Sequence, residues 1–261
     1  MRAGSEAVRA GLDEGDARMI AQARASHRTS AAAPPRVALI DHGAGNLVSI
    51  EQGLLAAGAH VVRALEPRAL SGVDAIVLPG VGAPAPAMAR LRRRGLVDPI
   101  RRWVEDRRPF LGICLGLQLL FEGSDEDGAE TLGMFSGRSE RLEDAPSLPH
   151  IGWNQVEAVR PDRLLEPLPA GADVYFVHSY AVRPGPSAAA EVIARTRHGV
   201  DFVSAFGVGD VYGVQFHPER SGRHGLALLR AFVQIAAERS PGARRERMTT
   251  LARRLATSVT A

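Results

Sequence analysis

The chain contains no lysine. All 32 of its basic residues are arginine, and the formal net charge is only +3. Guanidinium groups keep their protons to very high pH, which is why a pI of about 9.7 accompanies so small a charge. The high pI is a composition effect and gives little support to nucleic-acid binding. Residues 1–35 carry a net +1 and residues 239–261 a net +5, which leaves −3 on the centre. That centre is not a nucleic-acid surface. A single cysteine excludes an internal disulfide. No cluster of Cys and His has zinc-ligand spacing, so no metal is expected. No apolar run approaches the roughly 18 residues that cross a bilayer. Residues 1–33 carry charges throughout and lack an apolar core, so no secretory signal is expected. These absences agree with a cytoplasmic enzyme that carries a free thiol.

The 261 residues suffice for one sizeable α/β domain with tails. Residues 1–35 are rich in Ala, Arg, Ser and Gly and read as a disordered or poorly ordered extension. Residues 239–261 form a basic tail, with a short helix expected over 244–255. Between them, 36–238, strand and helix patterns alternate. Strands are expected at Val37–Ile40, His60–Ala64, Ala75–Leu78 and Phe110–Ile113, and later at Asn154–Val159, Val174–His178, Ser187–Arg195 and Val211–Phe216. Helices are expected at Leu47–Ala57, Ala85–Gly95 and Gly225–Ala237. The pattern implies a mostly parallel open sheet with helices on both faces and an added antiparallel portion, a flavodoxin-like α/β fold. Functional residues then collect at the carboxyl ends of the parallel strands.

The one cysteine falls in Pro109-Phe-Leu-Gly-Ile-Cys-Leu-Gly-Leu-Gln118. An apolar run leads into Cys114, glycines flank it two residues away on each side, and a helix is expected to start at Leu117. Small-x-nucleophile-x-small between strand and helix is a nucleophile elbow, which presents the sulfur at the top of a sheet. A helix N-terminus behind it favours the reactive thiolate. The competing reading is a small residue filling a tight strand–helix contact. Far downstream, Val211-Tyr-Gly-Val-Gln-Phe-His-Pro-Glu219 is a strand ending in a histidine, a proline and a carboxylate. Pro218 keeps His217 extended, and residues i and i+2 of extended chain point the same way. Glu219 can therefore orient one imidazole nitrogen while the other serves the thiol. A surface ion pair is the competing reading for His217 and Glu219 alone; the elbow cysteine weighs against it.

Attack on an amide creates an oxyanion, which needs preorganised N–H donors. The loop Pro79-Gly-Val-Gly82 follows a strand and carries two glycines, so Gly80, Val81 and Gly82 are candidates. Leu115, just after the nucleophile, supplies the N–H an elbow offers. A plain turn is the alternative for the loop. A phosphate loop is excluded, because no Gly-Lys-Ser/Thr follows.

The segments Gly112-Ile-Cys-Leu-Gly116 and Gln215-Phe-His-Pro-Glu219 resemble the class I glutamine amidotransferases. Within that class, the ordered motifs Asp41-His-Gly-Ala-Gly-Asn-Leu47, Leu78-Pro-Gly-Val-Gly82, Pro149-His-Ile-Gly-Trp-Asn-Gln155 and Tyr175-Phe-Val-His-Ser-Tyr180 are similar to the glutaminase subunits of imidazole glycerol phosphate synthases. The resemblance runs from about Arg36 to about Glu238. It implies a Cys114–His217–Glu219 triad, with the 80–82 loop lending an oxyanion donor only in an active conformation. It implies that Gln118 and Glu126 meet the amino-acid end of glutamine, and that the backbone of Ser179 and Tyr180 meets its carboxylate. A solvated charge is the alternative for Glu126. His178 is read as structural rather than catalytic.

No cofactor is implied. Free ammonia is soon protonated in water, so a dedicated glutaminase delivers it by a protected path. The chain has no room for a second catalytic domain. By resemblance the partner is a (β/α)₈-barrel cyclase that makes imidazole glycerol phosphate and AICAR in histidine biosynthesis. Asn46, Trp153 and Arg220 are the partner-facing positions, although the family more usually has Lys at 220 and the two cations differ in donor geometry. Trp153 has core packing as its alternative. The family's Phe-Gly after the oxyanion loop is here Pro84-Ala85, which bears on loop flexibility. Two other functions stay open on sequence: a glutaminase of another synthase, such as the anthranilate type, which Gly152-Trp-Asn154 argues against, and a non-catalytic regulatory member of the fold, which an intact Cys, His and Glu set argues against.

Overall fold

The computed structural model describes residues 33–240. The N-terminal extension and the basic tail helix expected from sequence lie outside them. A nine-stranded sheet forms the frame. Its first half comprises β1 (Arg36–Ile40), β2 (His60–Ala64), β3 (Ala75–Leu78), β4 (Phe110–Ile113) and β12 (Val211–Val214), joined by parallel pairings. Its second half is antiparallel: β11 (Val200–Val208), β10 (Val192–His198), β7 (His150–Ala158) and β8 (Ala172–His178). The strand order is β2-β1-β3-β4-β12-β11-β10-β7-β8. A small sheet, β5 (Gly123–Ser124), β6 (Gly137–Arg141) and β9 (Tyr180–Pro184), continues from β8 past Ser179.

Parallel strands are buried on both faces, so their sequences are apolar runs rather than alternations. All of β3, β4 and β12 is buried, as is β1 after Arg36. Alternate residues feed two cores. Val37, Leu39, Leu111 and Ile113 meet Ile50 and Leu54 of α1 (Leu47–Ala56) and Leu228, Leu229 and Phe232 of α5 (Gly222–Arg239). On the other face, Ala38, Ile40 and Phe110 meet Met88 and Leu91 of α2 (Pro84–Arg93) and Ile100, Trp103 and Val104 of α3 (Val97–Glu105). Helices therefore cover both faces. Among the described residues no helix is long and apolar enough to cross a membrane.

The sequence reading differs from this architecture in several places. It lacks α3, whose buried face repeats at Ile100, Trp103 and Val104 but whose third residue is a proline, tolerated there in a first turn. It lacks β6 and β9, short polar-edged strands recognisable only by pairing with each other. It also lacks β11, which folds back on β10 at Gly199, where φ is +72°. The strand expected from Ser187 begins at Val192, because Ala189–Glu191 is a 3₁₀ turn. The helix expected from Leu117 to Phe121 is a four-residue turn of helix, α4 (Leu115–Gln118). So short a helix gives the thiol little dipole.

Candidate active site

Cys114 sits between β4 and α4 with φ +53° and ψ −106°. Such a conformation costs a non-glycine residue of order 1–3 kcal/mol and persists only where surroundings over-determine it. Here they do. The Cys114 N–H donates to Val214 O at 2.7 Å, and Cys114 O accepts from Leu117 N–H at 3.0 Å. The flanking glycines are required by contact. A Cβ on Gly116 would lie 1.8 Å from the Leu78 carbonyl oxygen, and one on Gly112 would lie 2.5 Å from that of Gly116. The elbow is thus wedged between β3 and its own helix, with Cys114 6% exposed.

β12 pairs with β4 in register Val214↔Ile113, which brings the downstream motif alongside the thiol. His217 Nδ1 lies 2.8 Å from Glu219 Oε1, and the two side chains are 5% and 1% exposed. The pairing is not made by extended chain, as the sequence spacing suggests. Pro218–Arg220 is a 3₁₀ turn that swings the carboxylate back under the ring. His217 N–H donates to Tyr175 O at 2.9 Å, and Ser221 Oγ caps His217 O at 2.6 Å, so the turn is pinned to β8. The Nε2 nitrogen is buried and makes no hydrogen bond of standard geometry, yet Cys114 lies near enough to favour the charged ring. Burial lowers the imidazole pKa, but hydrogen bonding and charge from Cys114 and Glu219 outweigh it and raise it to about 10. Both neighbours thus favour the protonated ring over the neutral one.

Two small cavities flank the Cys114–His217 pair. One, of about 280 Å³, gathers Val81, Gly82, Cys114, Leu115, Gln118, Glu126, Ser179 and Tyr180, together with Pro149, Val177 and His178. The other, of about 80 Å³, lies on the imidazole side and gathers Gly80, Val81, Asn46, His217, Glu219 and Arg220. Trp153 lines neither. It is 58% exposed and stands edge-on to Tyr175, with ring centroids 6.1 Å apart. The Arg220 guanidinium lies over the same tyrosine at 3.9 Å. Trp153, Tyr175 and Arg220 thus form one surface strip, and core packing is not the tryptophan's role. Asn46 caps α1, its Oδ1 accepting from Ser49 N–H at 3.3 Å. Glu126 is exposed as a residue, but partial burial of its carboxyl, then the nearby Asp127, raises its pKa.

The 80–82 loop is closed against the elbow. The Leu115 N–H points at Gly80 O across a long 3.4 Å. Gly82 has φ +86°. Pro84 opens α2, and Ala85 N–H donates to Asp127 Oδ2 at 2.7 Å, which ties the far end of the loop to the Glu126 segment.

Two buried residues of the site fall in the sequence motifs but receive no role from sequence. Gln215 Nε2 points at Cys114 Sγ at 3.5 Å, while its Oε1 accepts from Gln118 Nε2 at 3.2 Å. His42 Nε2 donates to Pro79 O at 2.8 Å and so fixes the start of the 80–82 loop; burial lowers its pKa. A glutamine two residues before a base, on an alternating strand, is the available signal for the first. Nothing local marks the second. A larger cleft, about 970 Å³ around Arg160, Asp162 and Tyr212, is not lined by Cys114; size alone does not locate the chemistry.

Comparison with known proteins covers most of the chain. The family described as Glutamine amidotransferase class-I matches residues 38–236. The imidazole glycerol phosphate synthase subunit HisH of a Synechococcus strain is 47% identical over 213 residues, covering 80% of this chain and 97% of the relative. Its counterpart in Moorella thermoacetica is 43% identical over 200 residues, covering 76% and 94%. Among solved structures, a glutamine amidotransferase from Thermotoga maritima aligns with a TM-score of 0.59 at 18% identity, covering 78% of this chain and 99% of that one. Another structure described as a glutamine amidotransferase aligns with a TM-score of 0.62 at 22% identity, covering 77% and 98%. These two likenesses speak to the fold alone.

Proposed function

The chain belongs to the class-I glutamine amidotransferases, and on that premise we propose that it is the glutaminase subunit of an imidazole glycerol phosphate synthase in histidine biosynthesis. It hydrolyses glutamine to glutamate and ammonia in the cytoplasm and hands the ammonia to a cyclase subunit. The subunit name carried by its relatives supports this reading over an anthranilate-type assignment. The observation that carries the chemistry is the convergence of a strained elbow thiol and a buried His–Glu pair from adjacent parallel strands.

Cys114 Sγ attacks the side-chain amide carbon of glutamine, and the carbonyl oxygen takes the negative charge. His217 gives its proton to the departing nitrogen, leaving a thioester and ammonia. The ring, now neutral, removes a proton from water, which attacks the thioester and releases glutamate. Glu219 holds Nδ1 so that Nε2 faces the reaction. Gln118, Glu126 and the backbone at Ser179 and Tyr180 hold the amino-acid end of glutamine in the larger cavity. For the oxyanion, the Leu115 N–H must be released from Gly80 O, so the loop turns before it can stabilise the intermediate. Ammonia leaves on the His217 side, through the smaller cavity between Asn46 and Arg220. Those two residues and Trp153 face the cyclase.

The test is the complex with Cys114→Ala. Glutamine-dependent synthesis is expected to vanish while ammonia-dependent synthesis continues. Glutamine hydrolysis retained by Cys114→Ala refutes the assignment.

A further inference from the structure

Three histidines cluster under the glutamine cavity: His150 on β7, His178 at the end of β8 and His198 at the end of β10. Two of them enter a chain of hydrogen bonds. Asn154 Nδ2 lies 3.2 Å from His150 Nε2, and His150 Nδ1 lies 3.2 Å from His178 Nε2. His178 Nδ1 lies 3.0 Å from the Tyr180 carbonyl oxygen. The same carbonyl accepts from Gln118 Nε2 at 2.9 Å, and Gln118 leads through Gln215 to Cys114 Sγ.

The chain has one consistent direction. A carbonyl only accepts, so His178 Nδ1 carries a hydrogen. A neutral His178 then accepts at Nε2, and His150 must donate from Nδ1. His150 Nε2 in turn accepts from the Asn154 amide, whose nitrogen also donates to Arg197 O at 2.9 Å. The Asn154 oxygen, accepting from Gln155 N–H at 2.8 Å, fixes the orientation of that amide. A proton added to His178 Nε2 would set two donors face to face. Both rings resist such a proton. Burial, reinforced by neighbouring imidazoles, lowers the pKa of His150 to about 4 and that of His178 to about 3. His150 is held flat by stacking on His198 and Phe176, at 4.1 and 5.0 Å between centroids.

We infer that His178 and His150 are positioning residues for glutamine, two neutral Nδ1–H imidazoles in series that fix the Tyr180 carbonyl and, through it, the amide of Gln118. The inference rests on the proposed glutaminase reading, in which Tyr180 and Gln118 form the wall that holds the substrate's amino-acid end. Neither ring needs to touch substrate. The device also ties that wall to β7, the strand that carries Trp153. A movement of β7 on partner binding would reach the pocket through hydrogen bonds rather than through the triad.

Two measurements test it. The first uses the unaltered protein: long-range 15N–1H correlation of the imidazoles at neutral pH. Both His178 and His150 are expected as neutral Nδ1–H tautomers, and an Nε2–H or doubly protonated form of either overturns the inference. The second uses glutaminase kinetics of the complex with the cyclase. His178→Leu is expected to lower kcat/KM for glutamine about tenfold, chiefly through KM, a loss equivalent to about 1.4 kcal/mol. His178→Asn, which keeps a donor at the Nδ1 position, is expected to recover most of it. Ammonia-dependent synthesis should not change in either. An unchanged KM in His178→Leu, or an Asn variant no better than Leu at equal melting temperature, overturns the positioning role. A wild-type complex without glutaminase activity would instead overturn the function proposed above, which keeps the two failures apart.

Discussion

Gly116→Ala is the sharpest probe of the elbow. One methyl group would be placed 1.8 Å from the Leu78 carbonyl oxygen and 2.9 Å from its carbon. Real Cβ atoms are not found under 3.0 Å, so the two backbones must part by roughly an ångström. β3 cannot yield, because it is fully buried and paired on both sides, to β1 and to β4. The movement falls on α4 and the nucleophile. Overpacking against side chains costs about 1–3 kcal/mol; against fixed backbone the cost is expected at or above about 3 kcal/mol. For a domain of this size that lowers the melting temperature by roughly 6–12 °C. A displacement of about 1 Å at a reacting atom costs on the order of a hundredfold in turnover. Gly213→Ala is the comparison, since its Cβ would meet the Leu117 Cδ1 at 2.4 Å, the movable end of a side chain, and is expected to cost less on both measures. Thermal melting and glutaminase turnover in the complex read the two effects. A Gly116→Ala protein that melts with the wild type and turns over normally would refute the argument that Leu78 and Gly116 need this close approach.

Three further outcomes follow from the geometry. A raised imidazole pKa stabilises the fold below the ordinary histidine value of 6.5 and loses that stabilisation as pH rises through about 10; Glu219→Gln should therefore flatten the decline of melting temperature between those pH values, and an unchanged slope would mean the carboxylate does not hold the proton. His217→Asn is expected to remove nearly all hydrolysis and Glu219→Gln to reduce it less, since in the proposed mechanism one transfers the proton and the other orients; the reverse order in turnover would exchange their roles. Trp153→Ala should leave melting of the isolated subunit within about 2 °C, because the ring is 58% exposed and its loss opens no core cavity; binding to the cyclase is expected to weaken roughly 30-fold or more, and a titration with wild-type affinity would remove it from the partner-facing set.

The parts of the site legible in the sequence are those whose chemistry is local. An elbow needs small residues two positions either side of its nucleophile, and Gly112, Cys114 and Gly116 state this within five residues. His217 and Glu219 are likewise neighbours in sequence, although the 3₁₀ turn that joins them is not legible there. The parallel strands β1, β3, β4 and β12 are legible as buried apolar runs. What is not legible depends on partners far away in the chain. His42 is marked only by the Pro79 carbonyl, Gln215 by Gln118 and Cys114, and His150 by His178. β6 and β9 are strands because each supplies the other's hydrogen bonds, which no single-segment pattern records.

The position of β12 has a consequence for how the molecule is made. It is the last strand in the described chain, yet it lies in mid-sheet, between β4 and β11. Without it the frame is two unconnected sheets, and Cys114 N–H has lost its acceptor at Val214 O. Such long-range pairing is slow to form, because loop closure must precede any reward. A chain still emerging from the ribosome already carries its thiol but has neither the strand that strains it into place nor His217, the proposed base, which follows. Hydrolytic competence and completion of the fold therefore arrive in one event, and a truncated chain is expected to waste no glutamine.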